Sequence, residues 1–247
     1  MLKLESVNKH YGKKHALKDY SYTFEAGIYT LLGPNGAGKS TLMNLITDNI
    51  RPDQKGTITY NGTDIVSLGK DYRAKLGFMP QQQGLYDAFT ARRFLNYMSA
   101  LKGLPRKETE KQIPRLLEEL ELSDRIDKKI GGFSGGMKQR LLIAQALLGD
   151  PEIVILDEPT AGLDPKQRVQ IRRMVERLGQ QEGKTVIIST HIISDIEQIT
   201  KAVLIMKEGV LVTSGSVQEL ISALPPDKEH NLEQVYMTYF GEAGDAP

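Results

Sequence analysis

The stretch of sequence that decides the fold is GPNGAGKST, at residues 33–41. It contains the pattern G-x-x-x-x-G-K-S, after a strand-like run at residues 28–32 and before a helix predicted for residues 40–47. Glycines allow the backbone N–H groups of such a loop to converge on phosphate oxygens, and the helix directs its positive end at the same anion. The sequence therefore predicts a phosphate-binding loop. The alternative is a glycine-rich turn that only precedes a helix.

The side chains of this loop are suited to a magnesium–nucleotide. Lys39 is predicted to reach the β- and γ-phosphates, Ser40 to place its hydroxyl on Mg²⁺, and Thr41 to add a phosphate contact. The predicted nucleotide contacts of the loop are Gly33, Pro34, Asn35, Gly36, Ala37, Gly38, Lys39, Ser40 and Thr41.

Two acidic residues follow a second apolar strand. Residues 153–156 form a continuous apolar run, typical of a strand buried on both faces, and Asp157 and Glu158 come directly after it. Ligands of open α/β folds bind at the carboxyl edge of the sheet, so we expect both carboxylates there. Asp157 is predicted to hold Mg²⁺, and Glu158 to act as general base on an attacking water. A solvated turn at a strand end is the alternative.

Outward from these motifs, the chain alternates between strand-like and helix-like segments. Further strands are predicted at residues 2–7, 20–24, 57–60, 76–79, 186–189 and 203–206, with a hairpin turn at residues 208–209. Apolar residues at helical spacing predict helices over residues 90–101, 113–120, 135–148, 165–178 and 232–240. Residues 84–149 therefore form a helical block inserted into an α/β chain, and the tail after residue 240 is expected to fray.

The composition excludes several classes of protein. The 247 residues carry a net charge of only +1, which gives no general attraction to nucleic acid, and they include no cysteine for disulfides or thiolate chemistry. No run approaches the roughly 20 apolar residues of a membrane-spanning helix. A role at a membrane would therefore require a separate partner.

With further motifs in the same order along the chain, these residues make the sequence resemble an ATP-binding cassette (ABC) ATPase from residue 2 to about residue 220. The resemblance implies that Tyr11, in KHYGKKHAL, stacks on the adenine ring. It also implies that Gln81, in GFMPQQQ, ligates Mg²⁺ in a loop leading to the helical block. Without the family, Tyr11 is equally an edge-strand tyrosine, and Gln81 part of a polar linker.

The segment FSGGMKQR, at residues 133–140, resembles the signature motif of this family, although Phe133 and Met137 depart from its usual LSGGQ form. Ser134, Gly135 and Gly136 are retained, and the resemblance implies that they cap the nucleotide of a second ATP-binding subunit in a head-to-tail dimer. A second anion-binding helix start suits that role. An N-capped glycine turn is the alternative.

Two more residues complete the resemblance. Asp164, in AGLDP, matches the loop that contacts the partner subunit, and it is also a predicted helix cap. His191, in STHII, matches the histidine that contacts the γ-phosphate. It follows a predicted buried strand, which favours this role over a structural one.

The resemblance implies an α/β fold: a P-loop NTPase core with a mainly parallel sheet, an N-terminal antiparallel β subdomain and an inserted α-helical subdomain. We expect an ATPase domain over residues 1–222, with a core lobe (1–83 and 150–222) and a helical lobe (84–149), and a C-terminal extension over 223–247. The expected catalytic residues are Glu158, His191 and Lys39, with ATP and Mg²⁺ bound.

The expected function is the ATP-hydrolysing subunit of a transporter, similar to those of bacterial exporters for drugs, antibiotics or peptides. Its expected partners are a separate transmembrane permease and a second ATP-binding subunit, identical or different, and no nucleic acid. This places the chain in the cytoplasm, on the inner face of the membrane. The alternatives are an ABC ATPase acting on ribosomes or nucleic acid, a non-catalytic nucleotide switch, and a P-loop GTPase or small-molecule kinase.

Overall fold

The computed structural model describes residues 1–53, 56–81, 84–181, 183–193, 196–226 and 228–241. The fraying predicted for residues 241–247 lies, apart from Gly241, outside the described residues, as do Gln82 and Gln83 at the predicted lobe boundary. The strands, in chain order, are β1 (Leu2–Tyr11), β2 (Lys14–Phe24), β3 (Gly27–Leu32), β4 (Thr57–Tyr60), β5 (Thr63–Asp64), β6 (Leu76–Met79), β7 (Ile153–Asp157), β8 (Thr185–Ser189), β9 (Ala202–Lys207) and β10 (Val210–Gly215).

The helices are α1 (Lys39–Ile46), α2 (Ile65–Leu68), α3 (Lys70–Ala74), α4 (Ala91–Leu101), α5 (Arg106–Glu119), α6 (Gly135–Ala146), α7 (Pro165–Gln180), α8 (Val217–Ser222) and α9 (Leu232–Phe240). In the part of the chain that the structure describes, no helix has the length and apolar character to cross a lipid bilayer.

The chain divides into two compact units. The first unit joins Met1–Ser67 to Ser189–Pro247, and the second unit comprises Leu68–Ile188. The lobes predicted from the sequence follow a different feature, the change from an α/β pattern to a helical block, so their boundaries stay a prediction.

The first unit contains an antiparallel sheet in the order β2-β1-β4-β5. The buried residues of β1 and β2 include Leu2, Leu4 and Phe24, as expected of strands with one face on a core. In the same unit β3 pairs in parallel with β9, and β9 pairs antiparallel with β10. The turn at Glu208 and Gly209 joins β9 to β10, as the sequence predicts.

A compact apolar cluster supports this part of the first unit. It joins β3 and β9 to helices α8 and α9 through buried residues that include Leu32, Val203, Ile205, Leu220 and Val235. The C-terminal helix is therefore part of the core of this unit, and Tyr236 and Phe240 pack against the same cluster.

The second unit is built on β7, which lies between β8 and β6. All five residues of β7 are buried, and its pairing with β6 is parallel, with Leu156 opposite Met79. Helix α6 packs on β6 and on the helices α4 and α5. The predicted α/β class, with an antiparallel N-terminal β subdomain, a mainly parallel sheet and an inserted helical segment, is thus confirmed.

Candidate functional site

In the first unit, residues 33–38 form a tight loop between β3 and α1. Gly33 has a φ of 152°, and a Cβ there would lie 2.3 Å from the Met206 carbonyl oxygen, so a larger side chain cannot be accommodated. Gly33 and Ala37 are buried, whereas the intervening residues of the loop are exposed. The loop therefore presents its tip to solvent on a rigid base.

Lys39 lies across this loop. Its Nζ donates hydrogen bonds to the carbonyl oxygens of Gly33, at 2.6 Å, and Pro34, at 3.1 Å. The N-cap residue of α1 is Gly38, which offers no side-chain cap to the first N–H groups of the helix. Ser40 is exposed and Thr41 partly buried in that first turn. An ammonium, a hydroxyl and helix N–H groups thus gather at one loop, which is the chemistry that binds phosphate.

The β9–β10 turn holds the loop in place. Gly209 N–H donates to the Ala37 carbonyl at 2.9 Å, and the Gly209 carbonyl accepts from Lys18 N–H at 2.8 Å. Gly209 has a φ of 84°, and a Cβ there would lie 2.7 Å from the Ala16 carbonyl oxygen. The sequence predicts this turn, but it does not predict the contact of the turn with the phosphate loop.

Replacing Gly209 by Ala is expected to destabilise the protein by about 2–4 kcal/mol, because crowding is added to an unfavourable φ. The matched control is Gly62→Ala, at a turn with a φ of 81° and nothing within 4 Å of the added Cβ. Gly62→Ala should cost only about 1 kcal/mol. Urea unfolding followed by circular dichroism measures both, and equal losses would contradict the crowding argument.

Tyr11 ends β1, and its hairpin is tied to the segment after α1. His10 Nδ1 donates to Asp53 Oδ2 at 2.7 Å, and Asp53 N–H donates to the Asn8 carbonyl at 2.8 Å. The hydrogen bond from His10 lowers the pKa of Asp53 from its usual value. The Tyr11 ring is about half exposed, so it can present a face to a planar base.

His191 follows β8 at the start of the Ser189–Pro247 segment of the first unit. It is exposed, and the next turn is fixed by a hydrogen bond from Ile192 N–H to Thr190 Oγ1 at 3.0 Å. The histidine thus comes directly after the carboxyl end of a strand, as the sequence predicts.

The C-terminal helix α9 forms one wall of a groove of about 650 Å³ whose other wall is the outer side of the phosphate loop. Lys207 fixes this wall, because its Nζ donates to the Tyr239 carbonyl at 2.9 Å and lies 5.7 Å from the centre of the Phe240 ring. Met237 lines the groove and is 53% exposed. The position of α9 beside the phosphate loop is not predicted from the sequence.

In the second unit, two residues predicted to hold Mg²⁺ lie at the same edge of the sheet. Asp157 is the last residue of β7, and Gln81 follows β6 by two residues. Since Leu156 and Met79 are register partners in parallel strands, Asp157 and Gln81 lie at the same edge of the sheet. Asp157 is buried and Gln81 exposed. Carboxylate and amide oxygens are ligands that Mg²⁺ accepts, so these residues suit that ion.

Glu158 follows Asp157 in an unusual backbone conformation. Its φ is 53°, a left-handed value that is uncommon for residues other than glycine. Glu158 also precedes a proline, which further restricts the backbone conformations open to it. Its carbonyl accepts hydrogen bonds from Ala161 N–H at 3.2 Å and from Gln139 Nε2 at 3.1 Å. These bonds hold the residue in place.

The signature-like segment begins helix α6 and lies next to Asp164. Ser134 is the N-cap, and its Oγ accepts from Met137 N–H at 3.3 Å. A Cβ on Gly136 would lie 2.3 Å from Gln167 Oε1, so α6 begins close to the first turn of α7. Asp164 caps that turn, as predicted, with its Oδ1 accepting from Gln167 N–H at 2.9 Å. Ser134 and Gly135 are exposed.

Comparison with known proteins identifies relatives over most of the chain. The family model described as ABC transporter matches residues 17–161. The linearmycin resistance ATP-binding protein LnrL of Bacillus subtilis (strain 168) is 37% identical over 228 residues, which cover 92% of this chain and 73% of the relative. The Nod factor export ATP-binding protein I of Burkholderia lata is 37% identical over 221 residues, covering 88% of this chain and 71% of the relative.

Solved structures agree with this result. An ATP-binding subunit of an ABC transporter is 28% identical, with a TM-score of 0.84, covering 96% of this chain and 98% of its own. The dimeric bacterial ABC transporter cassette MJ0796 is 30% identical, with a TM-score of 0.78, covering 87% of this chain and 98% of its own. The P-loop NTPase fold is therefore confirmed, and the chain belongs to the ABC transporter family of ATP-binding proteins.

Proposed function

We propose that this chain binds ATP with Mg²⁺ and hydrolyses ATP, and that it powers a transporter whose spanning part is another polypeptide. The observation that carries this proposal is the phosphate loop, with Gly33 packed too closely for any side chain and Lys39 held across it. The relation to MJ0796 supports hydrolysis, since one structure of that cassette is a post-hydrolysis state bound to ADP and Pi.

The roles of the site residues follow from their chemistry. Tyr11 stacks on adenine, the N–H groups of residues 33 and 35–41 bind the phosphates, and Ser40, Gln81 and Asp157 hold Mg²⁺. When bound, Mg²⁺ neutralises negative charge on the phosphate oxygens.

The hydrolytic step needs a base and cationic groups. Glu158 accepts a proton from water, whose oxygen bonds to the γ-phosphorus while the bond to the β–γ bridging oxygen breaks, giving ADP and phosphate. Lys39 and His191 stabilise the charge that develops on the transferred group.

The signature residues act on a second ATP-binding subunit. Ser134 and Gly135 are exposed at the start of α6, where helix N–H groups attract an anion. In our proposal they, with Gly136, cap the γ-phosphate bound by the partner, and Asp164 contacts the same interface. The dimeric structure of MJ0796 supports this arrangement. ATP binding then favours the closed dimer, and hydrolysis releases it.

The same proposal assigns the parts of the chain. Residues 1–83 and 150–222 form the core lobe that binds ATP, and residues 84–149 form the helical lobe that moves when the dimer closes. Residues 223–247 are a C-terminal extension. The direction of transport is export, which the linearmycin resistance and Nod factor export relatives support. The chain acts in the cytoplasm, on the inner face of the membrane.

The helical lobe carries a surface suited to the permease. Tyr86, Phe89 and Tyr97 form an aromatic surface in which the rings of Tyr86 and Phe89 stack at 5.0 Å and Tyr97 meets both edge-on. The guanidinium of Arg93 lies 4.2 Å from the centre of the Phe89 ring. Exposed aromatic residues with arginine are typical of protein interfaces.

Replacing Tyr86 by Glu is expected to reduce binding to membranes that contain the permease about tenfold or more, because it places a charge within the aromatic surface. The ATPase activity of the purified chain should be unchanged. Tyr86 is 50% exposed, and Val66→Glu is the matched control at a 46% exposed site in the other unit. The measurement is the fraction of tagged chain that sediments with membranes of its own host. Equal binding of both variants would exclude this surface.

A phosphate-release assay on the purified chain tests the proposed function. Release that requires both ATP and Mg²⁺ would support it, and no release under any condition would favour a non-catalytic switch. Copurification from the host then separates the partners, because a transporter subunit is recovered with a membrane protein, whereas the alternative function predicts recovery with ribosomes or nucleic acid.

A further inference from the structure

Helix α6 is connected to the backbone of Glu158 by one side chain. Gln139 lies one turn beyond the signature residues, is partly buried, and donates from Nε2 to the Glu158 carbonyl at 3.1 Å. The same carbonyl accepts the bond from Ala161 N–H at 3.2 Å. This carbonyl therefore accepts both a local bond and a bond from a helix distant in sequence.

This contact acts on a residue whose conformation needs support. A left-handed φ of 53° is energetically unfavourable for a residue that carries a Cβ. Such conformations persist only where the surrounding structure holds them in place. The Ala161 bond belongs to the turn that follows β7 and is formed within that turn alone. Gln139 adds a constraint from outside the turn, because its hydrogen bond holds the Glu158 carbonyl.

We propose that Gln139 is a positioning residue that holds Glu158 in the geometry needed to activate water, and that it makes this geometry depend on the position of helix α6. The inference rests on the proposed role of Glu158 as the base. In the proposed dimer, α6 caps the nucleotide of the partner through Ser134 and Gly136. The capping of one ATP would therefore help to set the base for the other.

The contact of α6 with α7 supports this link. Gly136 lies against the side chain of Gln167, and Gln167 N–H is held by Asp164. A displacement of the start of α6 would therefore act on the Asp164 cap and, through Gln139, on Glu158. Gly136 and Asp164, which are proposed to contact the partner, and Glu158, which is proposed to act on water, are thus connected within one unit.

The test is a double-mutant cycle with Gln139→Met and Glu158→Gln, measured as ATP hydrolysis in a single turnover with the full-length chain in excess. Methionine keeps the length of glutamine and removes the amide donor. The control is Gln145→Met on the same helix, because Gln145 is buried and its Oε1 has no hydrogen-bond partner among the described residues. Thermal melting shows whether each variant is folded.

Gln139→Met is expected to lower the single-turnover rate constant about tenfold, the order of effect of a slightly misplaced catalytic group. The chain concentration that gives half of the maximal rate should stay unchanged. In the Glu158→Gln background Gln139→Met should cause no further loss, since Gln139 acts through Glu158. Gln145→Met should keep the parental rate.

An equal fold-loss from Gln139→Met in both backgrounds, or a parental rate in the single variant, would overturn the role of Gln139 alone. Should Gln139→Met fail to fold, Gln139→Leu replaces it with the same expectations. Full turnover by Glu158→Gln would instead exclude Glu158 as the base, and the positioning role with it. The proposed function fails separately, if the parental chain releases no phosphate from ATP, so the two failures are distinguishable.

Discussion

Replacing Glu158 by Gln is expected to lower ATP turnover by about 100-fold to 10,000-fold, the usual contribution of a general base, while ATP binding is retained. The side chain keeps its shape and loses only its ability to accept a proton. Glu158 is buried at the carboxyl end of β7, so a substitution of the same size should leave the strand undisturbed. With hydrolysis blocked, ATP should also hold the chain as a dimer for longer.

Phosphate release and nucleotide titration measure the first two effects, and analytical ultracentrifugation with ATP measures the third. The matched control is Glu152→Gln, because Glu152 precedes the same strand at its opposite end. That variant should keep its turnover. Turnover at the parental rate in Glu158→Gln would exclude Glu158 as the base.

Replacing Lys39 by Ala should weaken ATP binding by about 1.5–3 kcal/mol, the value of a hydrogen bond to a charged group. This corresponds to a loss of affinity of roughly 10-fold to 150-fold. Lys39 lies across the loop, with its ammonium 2.6 Å from the Gly33 carbonyl oxygen. The loop keeps its hydrogen bond to Gly209 in this variant, so its backbone should remain in place.

Calorimetric titration with ATP, ADP and AMP tests this effect. The loss should be large for ATP and ADP and small for AMP, which lacks the phosphates that Lys39 is proposed to contact. Lys3→Ala serves as the control, because Lys3 belongs to the same unit and has an exposed side chain. Among the described residues, its ion-pair partner is Glu5. Unchanged affinity for ATP in Lys39→Ala would remove the phosphate-loop assignment.

Much of the fold could be predicted because its central strands are unambiguous. The strands predicted at residues 57–60 and 76–79 and the helix at 232–240 match β4, β6 and α9 residue for residue. Continuous apolar runs, as in β7, specify a strand buried on both faces. The predicted strand over residues 2–7 is too short, since β1 continues to Tyr11. Its extension is polar and owes its structure to pairing with β2, such as His10 opposite His15, which periodicity cannot detect.

Helix α8 is not among the helices predicted from the sequence. Ser216 and Glu219 form a capping box in the structure, and the S-x-x-E pattern of this capping box can be recognised in the sequence itself. Helices α2 and α3 are too short to show a period. They depend on turn chemistry and tertiary contacts.

The candidate site divides in the same way. Candidate ligand contacts such as Lys39 and Glu158 could be named from the sequence, because the proposed chemistry needs those residue types at that spacing. Residues that support them could not, because Gly209 and Gln139 act through hydrogen bonds between segments far apart in sequence. The roles of all these site residues stay predictions until ligand binding and turnover are measured.

The groove between the phosphate loop and helix α9 makes the chain easy to observe by fluorescence. The sequence contains no tryptophan, so an indole introduced at Met237 would emit against a dark background at wavelengths where tyrosine does not. That position lines the groove from the helix side without belonging to the loop itself. Its emission would therefore register nucleotide arrival from behind the loop, in real time and without a chemical label.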